Sequence, residues 1–187
     1  VSDATFLVGE PVALDLVNTR AADGDLLVTP DDLRVWAGLQ VDRVPEAGDL
    51  AAGATDEDLA AVRAVRDGAA HAIGRVREGE APSPDDLDVL NRAQRAAPAI
   101  AELAWDGGAV TVTRRRGGPA GTRLAAALAE ATADLLADPA AARIRECEAD
   151  DCVMLFLPAH PRRRWCSAAR CGNRVRVARH YQRHKAS

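Results

Sequence analysis

All four cysteines of this 187-residue chain lie in one short stretch, Cys147-x4-Cys152-x13-Cys166-x4-Cys171. Two closely spaced thiol pairs separated by a loop can converge on one tetrahedral ion, each pair supplying two ligands from a tight turn. Zinc is the first expectation, because four thiolates close its shell and leave no place for a reactive water; iron, disulfides and free thiols are the alternatives. A segment of this size buries too little surface to fold alone, and a structural zinc contributes about 10–16 kcal/mol. Val153, Leu155, Phe156, Leu157 and Trp165 are the candidate apolar core around the ion.

Charge divides the chain at the same place. Residues 143–187 carry eleven basic side chains against four acidic ones, with no acid after Asp151, while the rest of the chain is strongly acidic. That asymmetry predicts an acidic body with a basic end that faces a polyanion. Lys185 is the only lysine, so arginine placement carries more information than arginine identity. No apolar run approaches the roughly 18–20 residues that cross a bilayer. The chain shows no basic start followed by an apolar stretch, and a soluble cytoplasmic protein is expected.

Ahead of the cysteines, the sequence predicts a mainly helical body. Thr5–Val8 is read as a short strand ending at Gly9. Val12–Val17 has both alternating and helical spacing, and Pro11 tips it toward helix. A polar loop over 21–29 precedes a helix opened by Thr29-Pro30-Asp31-Asp32 and running to about Leu39. Residues 40–54 are read as a Pro/Gly/Ala linker. Thr55 starts a helix with Leu59, Val62, Val65, Ala69, Ile73 and Val76 inward, and Ser83 starts another with Leu87, Leu90 and Ala93 inward. Asp106-Gly107-Gly108 joins Ile100–Trp105 to Ala109–Thr113 as a hairpin. Leu124, Leu128, Ala131 and Leu135 mark a last helix, stopped at Asp138-Pro139.

The stretch from Arg164 to Arg174, which contains Cys171-Gly172-Asn173-Arg174, closely resembles the CGNR zinc finger family, named for that motif. The upstream Arg145-Glu146-Cys147-x4-Cys152-x3-Phe156 fits the same pattern. Leu14-Asp15-Leu16-Val17-Asn18-Thr19, followed by Leu33-x2-Trp36, resembles the family's N-terminal half, the ABATE domain of stress-induced transcription regulators. The resemblance implies Cys147, Cys152, Cys166 and Cys171 as zinc ligands and DNA binding through the basic tail. The chain departs from it at Leu157-Pro158-Ala159-His160, where the family often has an acidic and a hydroxyl residue.

From Gly172 the chain reads as a helix that starts at the last ligand, with Val175, Ala178 and Tyr181 on one side. Arg176, Arg179 and Arg183 lie on its other rows, and Arg162, Arg163 and Arg164 form a basic loop before the third ligand. A zinc knuckle anchoring a basic helix would present cations to a phosphate backbone and fix the helix's orientation. Arg174 is the residue best placed to offset the thiolates instead. His180 and His184 are read as solvent-facing.

In the body, Asp15, Asn18, Thr19 and Trp36 are candidates for a ligand pocket, although helix capping and turn hydrogen bonds account for the same polar residues. No phosphate-binding glycine loop, metal-binding His pair or nucleophile elbow is present, so no enzymatic activity is expected. His71 is read as surface or core.

The expected architecture is α+β. Residues 1–140 form a mainly helical domain with a small antiparallel sheet, and 143–187 form a four-cysteine zinc finger ending in a basic helix. The expected function is transcriptional regulation through duplex DNA, with one structural zinc, a small-molecule effector and a homodimer as further elements. An RNA- or protein-binding module is the alternative, and an enzyme with its site in the body is a third class.

Overall fold

The structure, a computed structural model, describes residues 6–177. Its body contains five helices: α1 (Val12–Val17), α2 (Pro30–Gly38), α3 (Asp56–Arg77), α4 (Pro84–Ala96) and α5 (Ala120–Ala137). Between them stand two antiparallel hairpins, β1 (Arg20–Ala21) with β2 (Gly24–Asp25), and β3 (Ile100–Asp106) with β4 (Ala109–Arg115). The short pair β5 (Arg145–Glu146) and β6 (Leu155–Phe156) opens the cysteine-bearing segment. A helix begins at residue 173 and continues to the last described residue. The architecture is thus helical with small antiparallel sheets, as the sequence predicts.

Local chemistry explains the helix starts. Thr29 and Asp32 exchange hydrogen bonds, Asp32 N to Thr29 Oγ1 at 3.2 Å and Thr29 N to Asp32 Oδ2 at 2.7 Å. Thr55 and Asp58 do the same at 3.2 and 2.9 Å, and Ser83 Oγ accepts from Asp86 N at 3.1 Å. Each pairing satisfies amide groups that a helix end leaves open. Leu14, Leu16, Leu33, Trp36, Val62, Ile73, Leu124 and Leu128 are sealed between α1, α2, α3 and α5. Ala69, Ala72, Ala125 and Ala129 let the long helices close with almost no aromatic filling.

Four local expectations are corrected. Phe6–Val8 forms no strand, and Thr5 lies outside the described residues. The loop over 21–29 contains the β1–β2 hairpin, whose Asp25 is held by Arg66 at 2.6 and 2.8 Å, Arg66 being only 2% exposed. Burial opposes charge on Asp25, but the bonds from Arg66 and the Leu27 amide outweigh it and hold the carboxyl below its ordinary value. Residues 40–54 are no linker, because a 3₁₀ helix at Pro45–Leu50 brings Val44, Ala47 and Leu50 into the core. In α4, Leu87 is exposed and Val89 half-buried; the face turned to Gly68 of α3 is that of Val89. His71 is exposed, 3.2 Å from Asp86.

Candidate metal centre

β6 and the loop before it point alternately in two directions, as an extended chain must. Met154 and Phe156 turn toward the cysteines, at 2% and 0% exposure, while Leu155 and Leu157 turn back into the core of the body. Val153, an expected core residue, is instead exposed. The cysteine side therefore packs around Met154, Phe156 and Ala149, joined by Trp165, Val175 and three residues of the N-terminal part, Leu7, Ala21 and Leu26. No local signal in the sequence announces these last three.

The turns that carry the cysteines are built by backbone bonds. Cys147 N donates to Met154 O at 2.9 Å and Cys152 N to Ala149 O at 3.0 Å, folding the first pair into a knuckle. Ser167 Oγ accepts from Arg170 N at 2.9 Å, and Ser167 O accepts from Gly172 N at 3.0 Å. This wide turn, Ala168–Gly172, swings Cys171 back beside Cys166 and delivers the chain into the helix at residue 173.

The four Sγ atoms lie within 4.8 Å of one another, and none is joined in a disulfide. Cys166 and Cys171 are 3.6 Å apart, and Cys152 and Cys166 3.9 Å. A tetrahedron with Zn–S bonds of about 2.3 Å has edges of about 3.8 Å. The donor set thus fits one tetrahedral ion. Burial raises the Cys152 thiol to about 11 and pushes Cys166 up further, with neighbouring sulfurs adding to both. Burial also opposes charge on Cys147, but the amides of Cys166 and Ala149 outweigh it and lower its pKa. Four thiolates this close need a divalent cation among them.

Arg174 adds a fifth polar group, donating from Nη2 to Cys171 Sγ at 3.5 Å and from Nη1 to Asp151 at 2.5 Å. A cationic donor on a ligating sulfur offsets charge delivered by the thiolates.

The other basic residues of the tail divide. Arg163 is anchored inside the structure: it contacts the Cys166 carbonyl, reaches Glu10 at 2.5 Å and Trp165 O at 3.1 Å, and lies 4.4 Å above the Phe156 ring. This corrects its expected place among solvent-facing cations. Arg164 is exposed and paired with Glu148 at 2.5 Å, Arg176 is exposed with a bond to Asn173 at 3.1 Å, and Arg162 is exposed. Arg179, Arg183, His180, His184, Ala178 and Tyr181 lie outside the described residues.

The four body residues read as a candidate pocket are sealed at 0–2% exposure. Asp15 accepts from the amides of Gly9 and Glu10, both at 3.0 Å, and is paired with Arg43. Thr19 Oγ1 donates to Leu16 O at 2.7 Å, and Trp36 is core. Asn18 reaches across to β6, where Nδ2 donates to Leu155 O at 2.9 Å and Oδ1 accepts from Leu155 N at 2.8 Å. Glu10 joins the same seam by accepting from Leu157 N at 3.0 Å.

Two protein-family models match the chain. ABATE, described as "Putative stress-induced transcription regulator", matches residues 10–139, and the CGNR zinc finger matches residues 143–184. With that match, the four-cysteine cluster is the site of one structural Zn²⁺. No curated protein matches the chain.

Proposed function

We propose, because the chain belongs to the ABATE family and carries a CGNR zinc finger, that it is a cytoplasmic, non-enzymatic regulator of transcription in stress, binding duplex DNA through its C-terminal end. The observation that carries this reading is the continuity between Cys171 and the helix starting at residue 173. The zinc cluster fixes where that helix begins. Val175 packs inward while Arg176 faces solvent, with Arg162 and Arg164 exposed on the loop before Cys166. Cations on a rigid helix and its neighbouring loop can track a phosphate backbone at a set orientation. One small module reaches few bases, so two copies on a two-fold site supply the specificity. Titration of the full chain against duplex DNA and single-stranded RNA tests the reading. Tighter, salt-dependent binding to the duplex supports it, while preference for RNA or no binding to either overturns it.

The effector part of the proposal moves from the sealed Asp15 cluster to a cavity of about 500 Å³ between α3 and the zinc-bearing segment. Ala70 and Gly74 of α3 and Val153 and Leu155 of the segment form its apolar walls, with Arg77 and Glu146 at one side, 2.9 Å apart. A small molecule with an apolar body and a charged end fits that lining, and there it would touch both halves of the molecule at once. A Cβ at Gly74 meets open space, so Gly74→Leu fills the cavity. Compounds that raise the melting temperature of the wild type should lose that effect in Gly74→Leu; retention of the effect places the effector elsewhere.

A further inference from the structure

The β3–β4 hairpin is an arm. Every residue from Ile100 to Asp106 and from Ala109 to Arg115 is exposed, and the only extensive packing of either strand among the described residues is with the other. The register places Leu103 opposite Val112 and Trp105 opposite Val110. By strand alternation these four, with Ala101 and Arg114, share one face, and the other carries Ile100, Glu102, Asp106, Thr111, Thr113 and Arg115. Arg115 pairs with Glu102 at 3.0 Å on that polar side. On the apolar side, Leu103 is 73% exposed, Trp105 71%, Val110 63% and Val112 59%. A two-stranded ribbon of this kind is marginal in water unless something covers its apolar face.

We propose that the apolar face of this arm is a dimerisation surface, covered by the same face of a second copy of the chain across a two-fold axis. The area is adequate. A tryptophan brings about 150–250 Å², and the four large side chains supply on the order of 500 Å² per copy, so two copies reach the roughly 1,000 Å² of a specific interface. Stacked ribbons keep their polar faces in water and their apolar faces in contact, at the usual sheet spacing of about 10 Å.

Charge sets the alignment. Arg114 stands at the base of the arm on the apolar side, with no ion-pair partner among the described residues. Parallel stacking would set Arg114 against its own copy. The antiparallel two-fold arrangement instead holds the two Arg114 side chains at opposite ends of the stacked faces. An apolar face of that area, whose one cation stays away from its own copy, is occupied most simply by a second copy.

This deepens the two-copy part of the proposed function by naming its surface. It is tested without DNA, so its failure and a failure of DNA binding are read separately. Sedimentation velocity of the zinc-loaded full chain, across micromolar concentrations, should give a dimer. Leu103→Asp and Trp105→Asp should each weaken it by roughly 30-fold or more, with unchanged zinc content and helical circular dichroism, because among the described residues the arm has no extensive packing on a helix. Thr113→Asp, on the polar face, should remain dimeric. A wild type that stays monomeric, as it would if the face served another protein, overturns the proposal. So does a dimer indifferent to both Leu103→Asp and Trp105→Asp.

Discussion

Asn18 satisfies both backbone groups of Leu155, a residue 137 positions away, with bonds of 2.9 and 2.8 Å. The primary amide serves β6 as a neighbouring strand would, presenting one donor and one acceptor in register. Leu155 packs into the body while Phe156, next to it, packs beside the cysteines. The Asn18 bonds therefore join α1 to the zinc-bearing segment at a point where two cores meet.

Asn18→Ala should lower stability by about 1–3 kcal/mol, because it leaves a buried amide and carbonyl without partners. Asn18→Asp should cost at least as much, since a carboxylate offers no donor to the Leu155 carbonyl. Denaturant unfolding of the full chain checks both. Wild-type stability in either variant would mean that water or a shifted strand replaces the bond.

Elemental analysis should find one zinc per chain, and Cys166→Ser should lose it. Burial around Cys147, Cys166 and Cys171 leaves no solvent to replace a missing thiolate. The effect should spread beyond the cysteines. Loosening β6 frees the partner of Asn18 and uncovers Leu155 and Leu157 from the body, so chelation should also reduce the melting temperature of the helical part. If the helical signal melts identically with and without zinc, the seam contributes nothing.

Gly121 opens α5 against the start of α3, and its amide donates to Asp58 Oδ1 at 3.0 Å. A Cβ there would stand 2.6 Å from the Asp58 Cα, a backbone atom that cannot swing aside. Alanine is favoured over glycine within a helix by about 1 kcal/mol, but overpacking costs about 1–3 kcal/mol and also displaces the capping carboxylate of Asp58. Gly121→Ala should be net destabilising by thermal unfolding, and Gly74→Ala in the last turn of α3, where a Cβ meets open space, should be net stabilising.

What was legible in the sequence was local. Cysteine spacing marked the metal cluster, and Thr29, Thr55 and Ser83 marked three helix starts, because each feature acts within a few residues of itself. Val44, Ala47 and Leu50 recur every third residue, the period of the 3₁₀ helix that buries them, yet the surrounding Pro, Gly and Ala disguised that signal as a linker. The ambiguity of Val12–Val17 and the structural work of Asp15 were visible, but the partner of Asn18 was not, since nothing near residue 18 refers to residue 155. Arg163 was indistinguishable from Arg162 and Arg164 for a related reason. Three identical side chains in a row differ only in what the fold places beside them, here Glu10, the Cys166 carbonyl and the Phe156 ring.

That division of the arginines sharpens the DNA prediction. Arg163 and Arg174 hold the zinc-bearing segment together, which leaves Arg162, Arg164, Arg176, Arg179 and Arg183 as the proposed phosphate contacts. Five contacts predict a slope of about −4 to −5 when log K is plotted against log salt. Arg176→Ala should weaken binding on every duplex alike and make the slope shallower by about one unit. Arg164→Ala should do the same, because its exposed pairing with Glu148 is too weak to keep it from a phosphate. Arg163→Ala and Arg174→Ala should instead reduce stability, with Arg174→Ala also reducing zinc affinity. Titrations of the full chain at several salt concentrations, alongside melting curves, separate the two groups. An Arg163→Ala variant that keeps its stability while making the salt slope shallower would reverse the assignment of that residue, and a flat salt response in the wild type would remove phosphate recognition altogether.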